Sequence, residues 1–144
     1  MVELYRVRCE DLDIMPKDKQ QSKFVRHCYE KCINRKLNLS KLFLGPRSAS
    51  LLAFWIRTEQ IDITHLNLSW NNLGNNGVYN LSVSICSSRS LVSVDISQNG
   101  LTPRAASAFY DMLAMNQSLI EVNFGSIGGS YRNRFNRDFA MAFG

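Results

Sequence analysis

Apolar residues in the middle of the chain recur with the period of a strand and then with that of a helix. Leu66 and Leu68 alternate with polar residues, which predicts a short strand with both side chains on one face. Gly77, Leu81 and Ile85 follow at intervals of four, which predicts a helical stripe. The small residue at 77 is expected to let the helix lie close to the strand layer. The pattern predicts a unit of strand, turn, helix and loop.

This unit recurs along the chain at a constant spacing, so that each key position has an equivalent in the next copy. The key positions of one copy are Ile63, Leu66, Leu68, Asn71, Leu73, Gly77, Leu81 and Ile85. Those of the next copy are Leu91, Val94, Ile96, Asn99, Leu101, Ala105, Phe109 and Leu113, and a third begins with Leu119, Val122 and Phe124. One unit cannot bury its own apolar face, whereas stacked units can. The sequence therefore predicts a single α/β solenoid.

The polar position that recurs in this pattern is an asparagine. Asn71 and Asn99 follow the predicted strands, where the chain turns away from the reach of strand hydrogen bonds. A side-chain amide both donates and accepts, so it can satisfy backbone groups in such a turn. We expect Asn71 and Asn99 to form a buried structural ladder.

The repeat resembles the leucine-rich repeat family, in its intracellular, ribonuclease-inhibitor-like subclass. The matching segments are L-N-L-S-W-N-N-L-G-N-N-G-V-Y-N-L at 66–81 and V-D-I-S-Q-N-G-L at 94–101. The resemblance implies a short horseshoe, with parallel strands on its concave face and helices on its convex face. It also implies a protein-interaction module or scaffold that is not an enzyme.

We expect one domain, made of a cap or degenerate repeat, a short repeat, two full repeats and a partial one. Their predicted ranges are 1–38, 39–62, 63–90, 91–118 and 119–144. Within the short repeat, Leu39, Leu42 and Leu44 predict the strand, and Ser48 is expected to N-cap a helix over 49–57. For the first unit, 4–9 is the expected outermost strand and 17–33 its helix, with Phe24, Cys28 and Cys32 on one stripe.

The C-terminal unit departs from the repeat. Ile127 stands where an asparagine is expected, and the register resumes at Asn133, which places an insertion near 125–132. The chain then stops at Gly144 inside the helix of this unit. Because a solenoid end needs a cap, we expect a fragment of a longer repeat protein; the alternative is a natively short protein whose last unit docks on another molecule. We also expect the chain to self-associate through its uncovered C-terminal end or to be less soluble than a longer form.

The residues between the buried strand positions are expected to point out of the concave face and bind a protein partner. Phe43 and Trp70 are aromatic there, and large aromatics are typical anchors. The predicted contact residues are Lys41, Phe43, His65, Asn67, Ser69, Trp70, Ser93, Asp95, Ser97, Glu121 and Asn123. For Trp70 the alternative is a ring that only covers the turn. The surface is expected to run from basic at its N-terminal end to acidic at its C-terminal end.

The sequence is compatible with two further functions. Some ribonuclease-inhibitor-like repeat proteins activate Ran-type GTPases, so the resemblance leaves GTPase activation or another enzyme-regulatory role as an alternative. The inserted loop carries Tyr131 and Arg132, a candidate contact within a basic, aromatic segment. Nucleic-acid binding through this loop is the third possibility. The favoured explanation is structural: Asn133 and Phe135 already belong to the repeat, which leaves three exposed arginines.

Charge and cysteine content indicate which partners, location and ligands to expect. The net charge is +5, and residues 1–60 hold 12 of the 17 basic side chains against 7 acidic ones. Such an excess favours acidic partners but is too small to demand nucleic acid. The N-terminus has no apolar signal segment, which favours a cytoplasmic protein with free thiols. With one C-x-x-x-C at Cys28 and Cys32, only two histidines and no catalytic motif, we expect no metal, cofactor or small-molecule substrate.

Overall fold

A computed structural model of the chain describes residues 1–126 and 132–134. Two leading helices are followed by a pair of short strands, and strands and helices alternate from residue 36 onward. The elements are α1 (Val2–Asp11), α2 (Asp18–Glu30), β1 (Cys32–Ile33), β2 (Lys36–Asn38), α3 (Pro46–Arg57), β3 (His65–Asn67), α4 (Gly74–Cys86), β4 (Ser93–Asp95), α5 (Ala106–Met115) and β5 (Glu121–Asn123). A short 3₁₀ turn at Pro103–Ala105 leads into α5.

The strands form one sheet in the order in which they occur along the chain. β2, β3, β4 and β5 are parallel, and β1 pairs with β2 in the antiparallel sense. The hairpin between β1 and β2 turns through Asn34 and Arg35, whose φ angles of 52° and 61° are those of a tight hairpin turn. Parallel strands joined through helices agree with the predicted α/β solenoid.

The core lies between the sheet and a row of helices. Leu37, Leu66 and Val94 occupy equivalent positions on neighbouring strands and are buried. The helices α1, α3, α4 and α5 pack side by side in this order. Gly77 allows α3 and α4 to approach closely, because a Cβ atom there would lie 3.0 Å from the Ala49 Cβ atom. The small residue therefore serves helix–helix packing, not the helix–strand contact that the sequence suggested.

The N-terminal unit differs from the prediction. Residues 4–9 form part of helix α1, not an outermost strand, and the helix expected over 17–33 ends at Glu30. Leu4, Tyr5 and Cys9 bury one side of α1, which packs against α3. The segment 4–9 is too short for its apolar spacing to distinguish a strand from a helix. Packing against the other helices therefore decides that a helix forms.

The N-terminus of α3 is capped by a side chain from α1. The helix begins at Pro46, so Ser48 lies in its first turn and is not the N-cap residue. The Asp11 carboxylate accepts backbone N–H bonds from Gly45, Arg47 and Ser48, each at 2.9 Å, and the Ser48 hydroxyl at 2.6 Å. A carboxylate suits the free N–H groups at a helix start. Asp11 therefore joins the leading helix to the repeats.

The strand predicted within 39–62 also lies elsewhere. Lys36–Asn38 pairs with His65–Asn67, so the strand precedes the predicted boundary at 39, and Leu37 is the residue equivalent to Leu66. The predicted short repeat is therefore wrong in its start. The tetrapeptide L-N-L-S occurs at both 37–40 and 66–69, and this identity is the signal that the sequence offered for the correct register.

Candidate functional site

The outer surface of the sheet, here called the strand face, presents two rows of polar side chains. The strand register aligns one row of Lys36, His65, Ser93 and Glu121, and a second row of Asn38, Asn67, Asp95 and Asn123. Alternation along each strand turns these side chains away from the core. They line an open depression of about 450 Å³.

The first row changes in charge across the sheet. It begins with Lys36 on β2, and the neighbouring Lys31 also lines the depression. It ends with Glu121 on β5, which accepts a hydrogen bond of 3.2 Å from the Ser93 hydroxyl. In between, a ring nitrogen of His65 lies 2.9 Å from the Thr64 hydroxyl. The strand face is thus basic on its β2 side and acidic on its β5 side.

The second row is partly committed to holding the strand ends. The Oδ1 atom of Asn67 accepts from the backbone N–H of Ser69 at 2.9 Å and from its hydroxyl at 2.7 Å. Asp95 makes the same two bonds to Ser97, at the same distances. These are turns stabilised by Asn or Asp side chains, so one oxygen of each is already occupied. Ser69 is buried, whereas Ser97 is half-buried.

Five predicted contact residues follow a strand and do not lie on one: Lys41, Phe43, Ser69, Trp70 and Ser97. Lys41 and Phe43 follow β2, in the turn that leads to α3, and have φ angles of 59° and 57°. The residues equivalent to Lys41 in the next repeats are Trp70 and Gln98, with φ angles of 58° and 54°. Phe43 is 55% exposed and Trp70 is 38% exposed. The Lys41 ammonium lies 5.7 Å from the centre of the Trp70 ring, a cation–π contact.

Sequence reasoning missed three residues of this surface. With the register at Lys36–Asn38, the positions on β2 equivalent to the predicted contacts are Lys36 and Asn38, followed by Ser40. The Asn38 side chain accepts from the Ser40 backbone N–H at 3.0 Å, as in the later repeats. The repeated L-N-L-S would have identified all three.

Asn71 and Asn99 lie buried beside the strand face, at the strand exits. The Asn71 oxygen accepts from the N–H groups of Leu42 and Leu44, and its nitrogen donates to the carbonyls of Leu39 and Leu68, at 2.8–3.1 Å. In the next unit, Asn99 donates to the carbonyl groups of Leu68, Ile96 and Ser97 and accepts from the backbone N–H of Leu73. Each side chain thereby joins two consecutive repeats.

Asn133 continues this series beyond the insertion. Its oxygen accepts from the N–H groups of Asn99 and Leu101, and its nitrogen donates to the Phe124 carbonyl at 2.8 Å. Of the two predicted loop contacts, Arg132 is exposed and Tyr131 lies outside the described residues. Most of the insertion predicted near 125–132 also lies outside them.

The cysteines are free thiols in different environments. Cys9 and Cys28 are buried, Cys86 is half-buried, and Cys32 lies exposed on β1, so its predicted place on the helical stripe is wrong. Burial raises the pKa of the Cys28 thiol from 9.0 to about 11, against the smaller lowering effect of the chain's amino terminus and Arg8. Over residues 1–126 and 132–134, no cluster of three or more His, Cys, Asp or Glu side chains could hold a metal ion. Among the helices that the structure describes, none has the length and apolar character needed to cross a bilayer.

Comparison with known families identifies the repeats. Two segments, 61–82 and 87–109, match the family model described as Leucine Rich repeat. They contain β3 and β4 with the starts of the helices that follow, so these two segments are leucine-rich repeats. Domains of this family are generally protein-interaction modules and typically not enzymes. No curated protein matches the chain.

Proposed function

We propose that this chain is a protein-interaction module of the ribonuclease-inhibitor-like kind, which binds a protein partner across the strand face. The observation that carries the proposal is the pair of aligned polar rows around an open depression. Half-buried and exposed side chains held in register on a rigid sheet offer a partner many contacts at little ordering cost.

The strand face is expected to be concave. Neighbouring strands are about 4.8 Å apart, whereas packed helices are about 8–10 Å apart. Since each repeat contributes one strand and one helix, stacking curves the sheet inward and produces a horseshoe. A partner seated there would meet both rows of side chains.

Trp70 and Phe43 are the proposed anchors at the edge of this surface. Both rings are large and exposed, and Lys41 holds one face of Trp70. In many interfaces a few residues, often aromatic, contribute most of the binding affinity. We propose a cytoplasmic location for the module, because four free thiols suit a reducing compartment.

The proposal is tested with a protein captured by the full chain, purified, and titrated against two surface variants. The strand-face variant is Lys36→Glu with His65→Glu, and the control is Tyr79→Glu with Tyr110→Glu on the exposed sides of α4 and α5. We expect the strand-face variant to weaken binding at least about tenfold, which corresponds to about 1.4 kcal/mol. The control should stay within about twofold. The opposite order of effects would place the interface on the helices and overturn the proposal.

A further inference from the structure

A second depression lies beside the strand face, between α2 and the turn that follows β2. Its floor is formed by Phe24 and Leu42, and its rim carries Lys23, His27, Lys31 and Lys41. We call this the α2 cleft; its volume is about 560 Å³. Lys31 and Asn38 line both the α2 cleft and the strand face, so the two surfaces are continuous.

The rim of the α2 cleft is basic on both sides. Lys23, His27 and Lys31 are spaced by four, which places them along one side of α2 and its C-terminal end. Lys41 faces them from the turn after β2. No carboxylate is among the lining residues, and in the described part of the chain no ion pair involves any of these three lysines. The cleft thus concentrates positive charge within the basic N-terminal part of the chain.

The floor of the cleft is apolar and already in place. The Phe24 ring is 9% exposed, and it packs against the Tyr5 ring with 5.5 Å between centres. The Arg8 guanidinium lies 5.5 Å from the centre of the same ring and also donates to the Leu42 carbonyl. Because these contacts join α1, α2 and the turn after β2, a ligand does not have to order the floor on binding.

We propose that the α2 cleft docks an acidic segment of the protein partner, with an apolar side chain on the floor and carboxylates at the rim. This inference rests on the proposed function, whose partner it describes by its chemistry. A basic rim around an apolar floor complements such a segment in both charge and polarity.

The same geometry disfavours a nucleic acid in the α2 cleft. Tyr5 and Arg8 pack against Phe24 and leave 9% of it exposed, so the floor can contact an apolar side chain but is not a stacking platform for bases. A nucleic acid that continued from the α2 cleft along the strand face would also meet the carboxylates of Asp95 and Glu121, which repel phosphates. A peptide can place basic or neutral side chains there.

The test is a fluorescence-anisotropy titration of the full chain against three labelled probes. They are a short peptide of alternating Glu and Asp around a central Leu, the same peptide with Gln and Asn, and an oligothymidine of equal length. We expect the acidic peptide to bind at least about tenfold more tightly than the neutral one, and more weakly as salt increases. Equal binding of both peptides, or tighter binding of oligothymidine, would overturn the inference.

The cleft is located by charge reversal with a matched control. Lys23→Glu with Lys41→Glu should weaken the acidic peptide at least about tenfold, whereas Lys19→Glu with Arg57→Glu makes the same charge change outside the cleft and should change affinity by about twofold or less. The milder pair Lys23→Gln with Lys41→Gln should give an intermediate loss, and circular dichroism checks that every variant is folded. An equal loss in the control overturns the cleft.

The strand-face variant separates the two proposals. Lys36→Glu with His65→Glu should retain most of the affinity for the acidic peptide, although it weakens binding of the whole partner. If this variant no longer binds the acidic peptide while the cleft variant still binds it, the acidic segment docks on the strand face and the inference about the α2 cleft is wrong. If the cleft variant no longer binds the acidic peptide, while the strand-face variant binds the whole partner as tightly as the unmodified chain does, the proposed function is wrong and the α2 cleft is supported.

Discussion

Replacing Asn71 with Leu removes the side chain that joins the first repeat to the second. The amide makes four hydrogen bonds of 2.8–3.1 Å to backbone groups of Leu39, Leu42, Leu44 and Leu68. Leu is similar in size but can neither donate nor accept. Asn71→Leu therefore isolates the polar contribution of this position.

The magnitude follows from the groups that lose their partner. The Leu68 carbonyl retains the Asn99 amide at 2.9 Å, but the N–H groups of Leu42 and Leu44 and the Leu39 carbonyl lose the Asn71 side chain. Each buried polar group left without a partner costs about 1–3 kcal/mol, and Leu42 is half-buried, so that water offsets part of its cost. We expect the free energy of unfolding to fall by about 3–5 kcal/mol, a large share of the ~5–15 kcal/mol of a typical domain.

The assay is urea unfolding, followed by far-UV circular dichroism and by tryptophan fluorescence. The matched control is Asn72→Leu, the same change at the exposed neighbouring residue, which should alter stability by less than about 0.5 kcal/mol. A loss below about 1 kcal/mol for Asn71→Leu, or an equal loss in the control, would refute the role of the amide in joining the repeats.

Four further predictions concern helix packing and the cysteines. Asp11→Ala leaves three N–H groups at the start of α3 without their acceptor, so unfolding should become easier by about 2 kcal/mol and amide exchange in α1 faster; unchanged exchange would contradict the cap. Gly77→Ala should cost about 1 kcal/mol or more in thermal unfolding, since its Cβ atom meets Ala49 at 3.0 Å, and a stabilised variant would show that α3 can shift. Iodoacetamide should modify exposed Cys32 well before Cys28. Because burial raises the Cys28 pKa to about 11, the folded state holds this proton longer than the unfolded chain, so its contribution to stability is lost as the pH rises from 9 to 11. Denaturant midpoints across that range, compared with Cys28→Ser, measure this loss.

The sequence by itself determined the repeat and the residues that define it. The strands β3, β4 and β5 lie where the constant spacing of the repeat predicts them, because alternation and the four-residue stripe are properties of the local chain. Asn133 was identified by the register that resumes after the insertion, and it bonds to Asn99 and Leu101 in the structure.

Only the tertiary structure decided the N-terminal half and the α2 cleft. Residues 36–44 contain Leu37, Leu39, Leu42 and Leu44, and either pair of neighbouring leucines satisfies a strand pattern. Pairing with β3 selects the first pair, since only that register aligns the buried side chains and gives Asn71 its partners. The α2 cleft is lined by Lys23 from a helix and Lys41 from a turn. The spacing of apolar residues within one element does not predict a contact between two elements. Hydrophobic spacing reports which side of an element is buried, whereas the neighbour that covers it depends on the whole fold.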